Sequence, residues 1–209
     1  KSTVSRLAAA RLRFLYADTG ALYRAIGFTA LQSCVEPADE TGVAALLPDL
    51  TVELRFDECG QRVLVNGADM TDNIRAPQVS MAASAVSALP SVRAFLLDLQ
   101  RDLAKNHNVI MDGRDIGTVV LPNAEVKVFL TAASGERARR RYNELLSKGE
   151  NVTYDDVYRE MQERDKNDSA RAISPLKPAP DAVFLDTTAL ALDEVLERLL
   201  NIIKLRIEN

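Results

Sequence analysis

Residues 108–118, NVIMDGRDIGT, decide the architecture. The run Asn108-Val109-Ile110-Met111-Asp112 is apolar and β-branched and lacks the polar alternation of a half-wet strand, so it predicts a strand buried on both faces. Asp112-Gly113-Arg114-Asp115 then places two carboxylates and a guanidinium at its carboxyl end, where open parallel α/β sheets bind ligands. A polar turn with an Arg–Asp surface pair is the plainer reading, since such pairs are common and contribute little. Gly113, with Gly117-Thr118 soon after, favours a backbone that something approaches closely.

Three more stretches carry the same strand signature: 14–17 (FLYA), 125–130 (EVKVFL) and 182–185. Helical patterns surround them at 2–12, from 21, and at about 134–148, 154–166 and 192–207. Strands alternating with helices predict one parallel sheet covered on both faces. Between 51 and 65 the period changes. Thr51 to Phe56 alternates, Glu58-Cys59-Gly60-Gln61 reads as a turn, and Arg62 to Val65 alternates again before Asn66-Gly67. That predicts a β-hairpin with one wet face, inserted with two helices at 76–88 and 90–105, the second opened by Pro90.

Composition narrows the chemistry. The chain has 209 residues, 47% of them apolar, with 26 Lys and Arg against 30 Asp and Glu. The net charge of −4 removes the long-range attraction that nonspecific nucleic-acid binders need, so any phosphate must be held by local groups. A single histidine, His107, makes a Ser-His-Asp triad or a multi-histidine metal site a poor reading. Cys34 and Cys59 suggest neither a zinc ribbon nor a disulfide framework, and a reducing, cytoplasmic setting is expected. No membrane span or targeting segment is read. The start at Lys1, already helix-like, suggests that upstream sequence is missing.

Four polar constellations stand out. Lys1-Ser2 before a helix is the ending a phosphate-binding loop would have, with the lysine on phosphates and the hydroxyl on magnesium, although the diagnostic glycines are not present. Asp18-Thr19-Gly20 with Arg24 is ambiguous, because a helix cap explains Asp or Thr there equally well. Arg164, Asp168 and Arg171 fall at i, i+4 and i+7, on one stripe facing one ligand or on a solvated helix surface. Arg137, Arg140 and Arg141 share roughly one helix face and suit a polyanion, while Glu136–Arg140 and Arg140–Glu144 are ordinary helix pairs.

Together, KST at the start, DTGALYR at 18–24, DGRDIGTVV at 112–120 and RDKNDSARAISPL at 164–176 resemble bacterial cytidylate kinases, nearly end to end and in that family's order. The departure is at the beginning, where the family has a Gly-rich loop. The resemblance implies a P-loop-type parallel α/β core (1–39, 81–133, 171–209), a small β-rich nucleotide-binding insertion (40–80) and a helical lid (134–170). It implies phosphoryl transfer from ATP to CMP or dCMP with Mg2+. Lys1, Ser2 and Thr3 would hold ATP, with Ser2 and Asp112 on the metal side. Thr19, Arg24, Arg114 and Arg171 would grip the acceptor phosphate, Ser84, Arg93 and Asp115 would read cytosine, and Arg164 and Asp168 would hold the ribose. Arg137, Arg140 and Arg141 would close over ATP, and Lys1, Arg114, Arg171, Arg137 and Arg140 would carry catalysis. The partners implied are small nucleotides, with no nucleic acid or membrane, and a monomer. Two rivals are a P-loop kinase for another acceptor and a nucleotide switch without phosphotransfer.

Overall fold

The computed structural model describes residues 1–58, 60–76 and 78–207. Helix α1 (Ser2–Leu12) buries Val4 and Ala8, one turn apart, and stops where Arg13 turns left-handed at φ 57°. Strand β1 (Leu15–Asp18) follows, then α2 (Gly20–Gln32). A short α3 (Glu40–Leu46), capped by the Asp39 carboxylate on the Thr41 N–H, leads into the hairpin β2 (Val52–Asp57) and β3 (Gly60–Val65), with β4 (Ala68–Asp69) added at its side. Next come α4 (Gln78–Val86), α5 (Pro90–Asn106), β5 (Val109–Asp112), a π-helical turn Ile116–Val120 and β6 (Val128–Thr131). The chain closes with α6 (Ser134–Ser147), α7 (Tyr154–Ala170), β7 (Val183–Asp186) and α8 (Leu192–Ile207).

The alternating order is as the sequence predicts, and outside the hairpin the strands pair in parallel, among the described residues as two pairs. Strand β1 pairs with β5 from Leu15↔Val109 to Asp18↔Asp112, and β6 pairs with β7 from Val128↔Val183 to Thr131↔Asp186. Among the described residues no ladder joins β5 to β6. A cleft of about 2120 Å³ runs between them, bounded also by side chains of α1 and α8.

Smaller differences have local causes. Strand β6 begins at Val128 rather than 125, with Lys127 O still accepting from the Val183 N–H at 2.9 Å just before it. Helix α4 is shorter than 76–88, and Pro77 lies outside the described residues, as does Cys59 of the predicted turn. Helix α7 runs past 166 to Ala170, and Arg171 is its extended cap residue rather than a third member of a helical stripe.

The hairpin behaves as its alternation predicts. Val52, Leu54, Val63 and Val65 enter a core with Leu22 and Ile26 of α2, Val43 of α3, Val86 of α4 and Leu96 of α5, while Glu53 and Arg55 pair with each other outside. A second core joins Val4 and Ala8 of α1 to Leu185 of β7 and Val195, Leu199 and Ile203 of α8. Helices α2 and α4 touch at Gly27, where a Cβ would stand 2.9 Å from the Ala82 and Ala83 backbone. Helices α6 and α7 form an outlying pair with little buried apolar surface, held by Arg137–Asp165 at 2.7 Å and by the edge-on contact of the Tyr142 and Tyr154 rings, 6.2 Å between centroids. Among the described residues no single helix is long and apolar enough to cross a membrane.

Candidate active site

The parallel register brings the carboxyl ends of β1 and β5 side by side, so Asp18 and Asp112 stand as neighbours at the cleft. Asp112 is 7% exposed and takes Lys1 Nζ at 3.3 Å and the Tyr16 hydroxyl at 3.1 Å; Lys1 also donates to Gly113 O at 3.0 Å. Burial, and then the negative charge of Asp112, push the Asp18 carboxyl above its ordinary range. Thr19 occupies the cap position of α2, but its hydroxyl does not cap the helix as the sequence suggested. It donates to Asp112 O at 2.9 Å, with the Thr19 N–H on the same oxygen at 3.2 Å, so the threonine ties β1 to β5. Ser2 lies against Tyr16, and Thr3 lines the cleft from the first turn of α1.

A second group centres on Asp168, 2% exposed at the end of α7. Its oxygens accept from Arg114 Nε at 2.8 Å, Arg171 at 3.0 Å and the Ser84 hydroxyl at 3.3 Å, and Arg164 Nε stands 3.9 Å away. Helix α7, the loop after β5 and α4 therefore meet on one carboxylate. Arg164 also donates to Ser80 Oγ at 3.2 Å, and Arg24 reaches the same hydroxyl at 3.5 Å and Ile74 O at 3.3 Å. Burial, with Arg114 beside it, lowers the Arg164 pKa to about 10, and its Nε is buried without a hydrogen-bond partner. Burial also lowers that of Arg24, with Asp18 opposing and Arg141 and Arg75 adding repulsion. Crowded guanidinium groups that destabilise one another are a site made for an anion.

The third group is Arg93 with Asp115, a buried ion pair reaching across from α5 to the start of the π-helical turn. Arg93 donates also to Ser87 O at 3.0 Å and lies over the Tyr23 ring, 5.7 Å from its centroid. The Asp115 backbone oxygen accepts from the N–H groups of Thr118, Val119 and Val120, which orients this carboxylate from behind. Ser84 sits with Asp168 rather than with Arg93 and Asp115.

Three of the four arginines of α6 are engaged. Arg137 pairs with Asp165 and donates to Ala132 O at 3.0 Å, and Arg141 pairs with Glu144 at 2.9 Å. Arg140 pairs with Glu136 and donates to Thr187 O at 2.7 Å and Thr187 Oγ1 at 3.2 Å, joining α6 to the end of β7. All three line the cleft, as do Lys1, Arg24, Asp112, Arg114, Asp115 and Arg164. Ser84, Arg93, Asp168 and Arg171 join this lining through Arg114, which bonds Asp168, and through Asp115, which pairs with Arg93. Sequence reasoning missed Tyr16, Arg75 and Ser80 and treated Asp18 as a helix cap; only the β1–β5 register shows that Asp18 and Asp112 are neighbours.

Parallel strands ending in carboxylates, a lysine before a helix and arginines from four separate segments around one cleft define a nucleoside monophosphate kinase of the P-loop type. The chain belongs to the cytidylate kinase family, whose model matches residues 1–205. It is 50% identical over 203 residues to the cytidylate kinase of Carboxydothermus hydrogenoformans, covering 97% of this chain and 91% of that protein. It is 48% identical over 207 residues to the cytidylate kinase of Geobacillus sp. strain WCH70 and 49% identical over 207 residues to that of Geobacillus kaustophilus, each time across 99% of this chain and 92% of the relative. It is an ATP-dependent phosphotransferase acting on CMP or dCMP.

Proposed function

We propose that the three side-chain groups divide the work of this transfer. Lys1 neutralises the transferring phosphates of ATP. Arg24, Arg114 and Arg171 hold the acceptor phosphate with Thr19 near it, Arg164 and Asp168 hold the ribose, and Asp115, Arg93 and Ser84 read the base. Arg137, Arg140 and Arg141 engage the ATP tail from α6 once it closes over the cleft. The carrying observation is that Arg24, Arg114 and Arg164 stand close enough to repel one another in the same cleft that Lys1 and Asp112 line.

The acceptor nucleophile is a phosphate oxygen, which needs no general base near neutral pH. The chain's task is to bring two polyanions together in line and neutralise their repulsion, so a single histidine away from the arginine clusters is no handicap. Asp112 and the Ser2 hydroxyl offer oxygen ligands beside Lys1, and burial together with the Asp112 charge raises the Asp18 pKa against the opposing pull of Lys1, Arg75 and Arg24. These donors fit Mg2+, which takes few protein ligands and keeps its waters and substrate phosphates. When bound, the cation neutralises charge on the ATP phosphates. Cytosine presents its amino group to the Asp115 carboxylate, whereas uracil would set a carbonyl against it, leaving both unpaired at about 1–3 kcal/mol per group.

The kinase works as a monomer in the cytosol, a compartment that suits the free, exposed Cys34. Steady-state kinetics with CMP, dCMP, UMP and AMP test these roles. Arg24→Ala should raise KM for CMP with a smaller change in kcat, and Lys1→Ala should cut kcat. Equal turnover of a non-cytidine acceptor would refute the base-reading assignment.

A further inference from the structure

Strand β1 is an edge strand: it pairs with β5 on one side, and among the described residues no strand forms a backbone ladder along its other edge. In a strand the N–H and C=O of one residue point to the same edge, and those of Asp18 point to the open one. Both are taken by a single side chain. Gln61 Oε1 accepts from the Asp18 N–H at 2.8 Å, and Gln61 Nε2 donates to Asp18 O at 3.1 Å. The partners fix the amide orientation, since only the oxygen can accept and only the nitrogen can donate. Gln61 thus imitates one residue of a neighbouring strand.

Its place in the fold gives this contact a consequence. Gln61 sits near the tip of the β2–β3 hairpin, opposite Phe56 and one step from the Asp57↔Gly60 pair. Asp18 directly precedes Thr19, whose hydroxyl and N–H bond Asp112 O, and α2 starts at Gly20 and carries Arg24 one turn on. The inserted hairpin therefore grips the backbone at the point where acceptor-side groups begin. The apolar contacts of the hairpin with α2 tolerate sliding, whereas a two-point amide contact fixes register.

We propose that Gln61 is a positioning residue for the CMP side of the reaction: it clasps the Asp18 peptide to the inserted hairpin and so holds Thr19 and Arg24 in place for the acceptor nucleotide. This rests on the acceptor role of Thr19 and Arg24 given above. Gln61→Ala removes both bonds. Gln61→Glu keeps the size and the acceptor but turns an oxygen towards Asp18 O and adds charge beside the Asp18 carboxylate. Arg55→Ala alters the outer face of the same hairpin and serves as the control.

The experiment measures the CMP dissociation constant by calorimetry, KM for CMP and for ATP, thermal midpoint and exchange of the Asp18 amide in all four proteins. The expected result is CMP binding about tenfold weaker in both Gln61 variants, ATP KM within about twofold, faster Asp18 exchange, and Arg55→Ala like wild type. The proposal is overturned if Asp18 exchange quickens with CMP affinity intact, or if CMP and ATP weaken together in step with a fallen thermal midpoint. Wild-type protein that does not bind CMP would instead remove the acceptor-site reading itself.

Discussion

Asp18 and Asp115 are both carboxylates at the mouths of parallel strands, and their surroundings set them apart. Asp115 has a buried guanidinium partner in Arg93, while Asp18 is buried beside Asp112, and Lys1, Arg75 and Arg24 only partly offset this. Because the folded-state pKa of Asp18 is raised, protonation is favoured by folding. Its contribution to stability is complete below the unfolded value of about 3.9 and is lost as pH rises through the folded value. Asp18→Asn should therefore melt about 2–4 °C above wild type at pH 7, with the gap closing as the pH of the melts is lowered to 4. Asp115→Asn should act oppositely on function. In the base-reading role proposed for Asp115, this change weakens a charged contact to the cytosine amino group, so kcat/KM for CMP should drop about 10- to 100-fold while UMP changes less, and competition assays should show a narrowed CMP preference.

Among the elements, the α2–α4 contact aligns two sets of site residues. Helix α2 carries Arg24, and α4 carries Ser80 and Ser84; Gly27 lets the helices approach until backbone meets backbone. Gly27→Ala should force them apart, lower stability by about 1–3 kcal/mol in denaturant melts and weaken CMP binding through displaced Ser80. A wild-type melting curve would refute the close-contact argument. Helix α5 shows another kind of control. Arg93 bonds Asp115 at the start of the π-helical turn, and Arg101, two turns on, donates to Val119 O and Val120 O at its end, each at 3.1 Å. One helix thus holds both ends of the segment that aims Asp115. Arg101→Ala should blur discrimination between CMP and UMP, as measured by the ratio of their kcat/KM values, while leaving ATP KM near wild type.

At the scale of the whole molecule, two hydrophobic cores flank the cleft. One contains α2, α3, the hairpin, α4 and α5, and the other contains α1, β7 and α8. Ligands that touch residues on both sides bridge these cores. CMP at one hundred times its dissociation constant should stabilise the fold by about 2.7 kcal/mol, seen as a midpoint rise of about 5–10 °C. CMP with a non-hydrolysable ATP analogue should raise it further, and additive shifts would show that the two ligands bind without mutual closure. The helical pair α6–α7, with few buried apolar side chains, should show faster amide exchange than either core without nucleotide and slow most when both ligands are present.

Local chemistry along the chain determined the order of strands and helices, the hairpin and the four polar motifs, because periodicity, turn residues and charge are properties of neighbouring residues. The class of ligand was legible too, since arginines at strand and helix ends announce an anion wherever they meet. Only the tertiary structure decided which groups meet: Asp18 beside Asp112, four side chains on Asp168, Ser84 with Asp168, the Arg140–Thr187 bridge and the clasp of Gln61 on Asp18. The reason is that partner choice depends on the packing of segments separated by 40 to more than 80 residues, as between Gln61 and Asp18 or Ser84 and Asp168, and no local pattern records it.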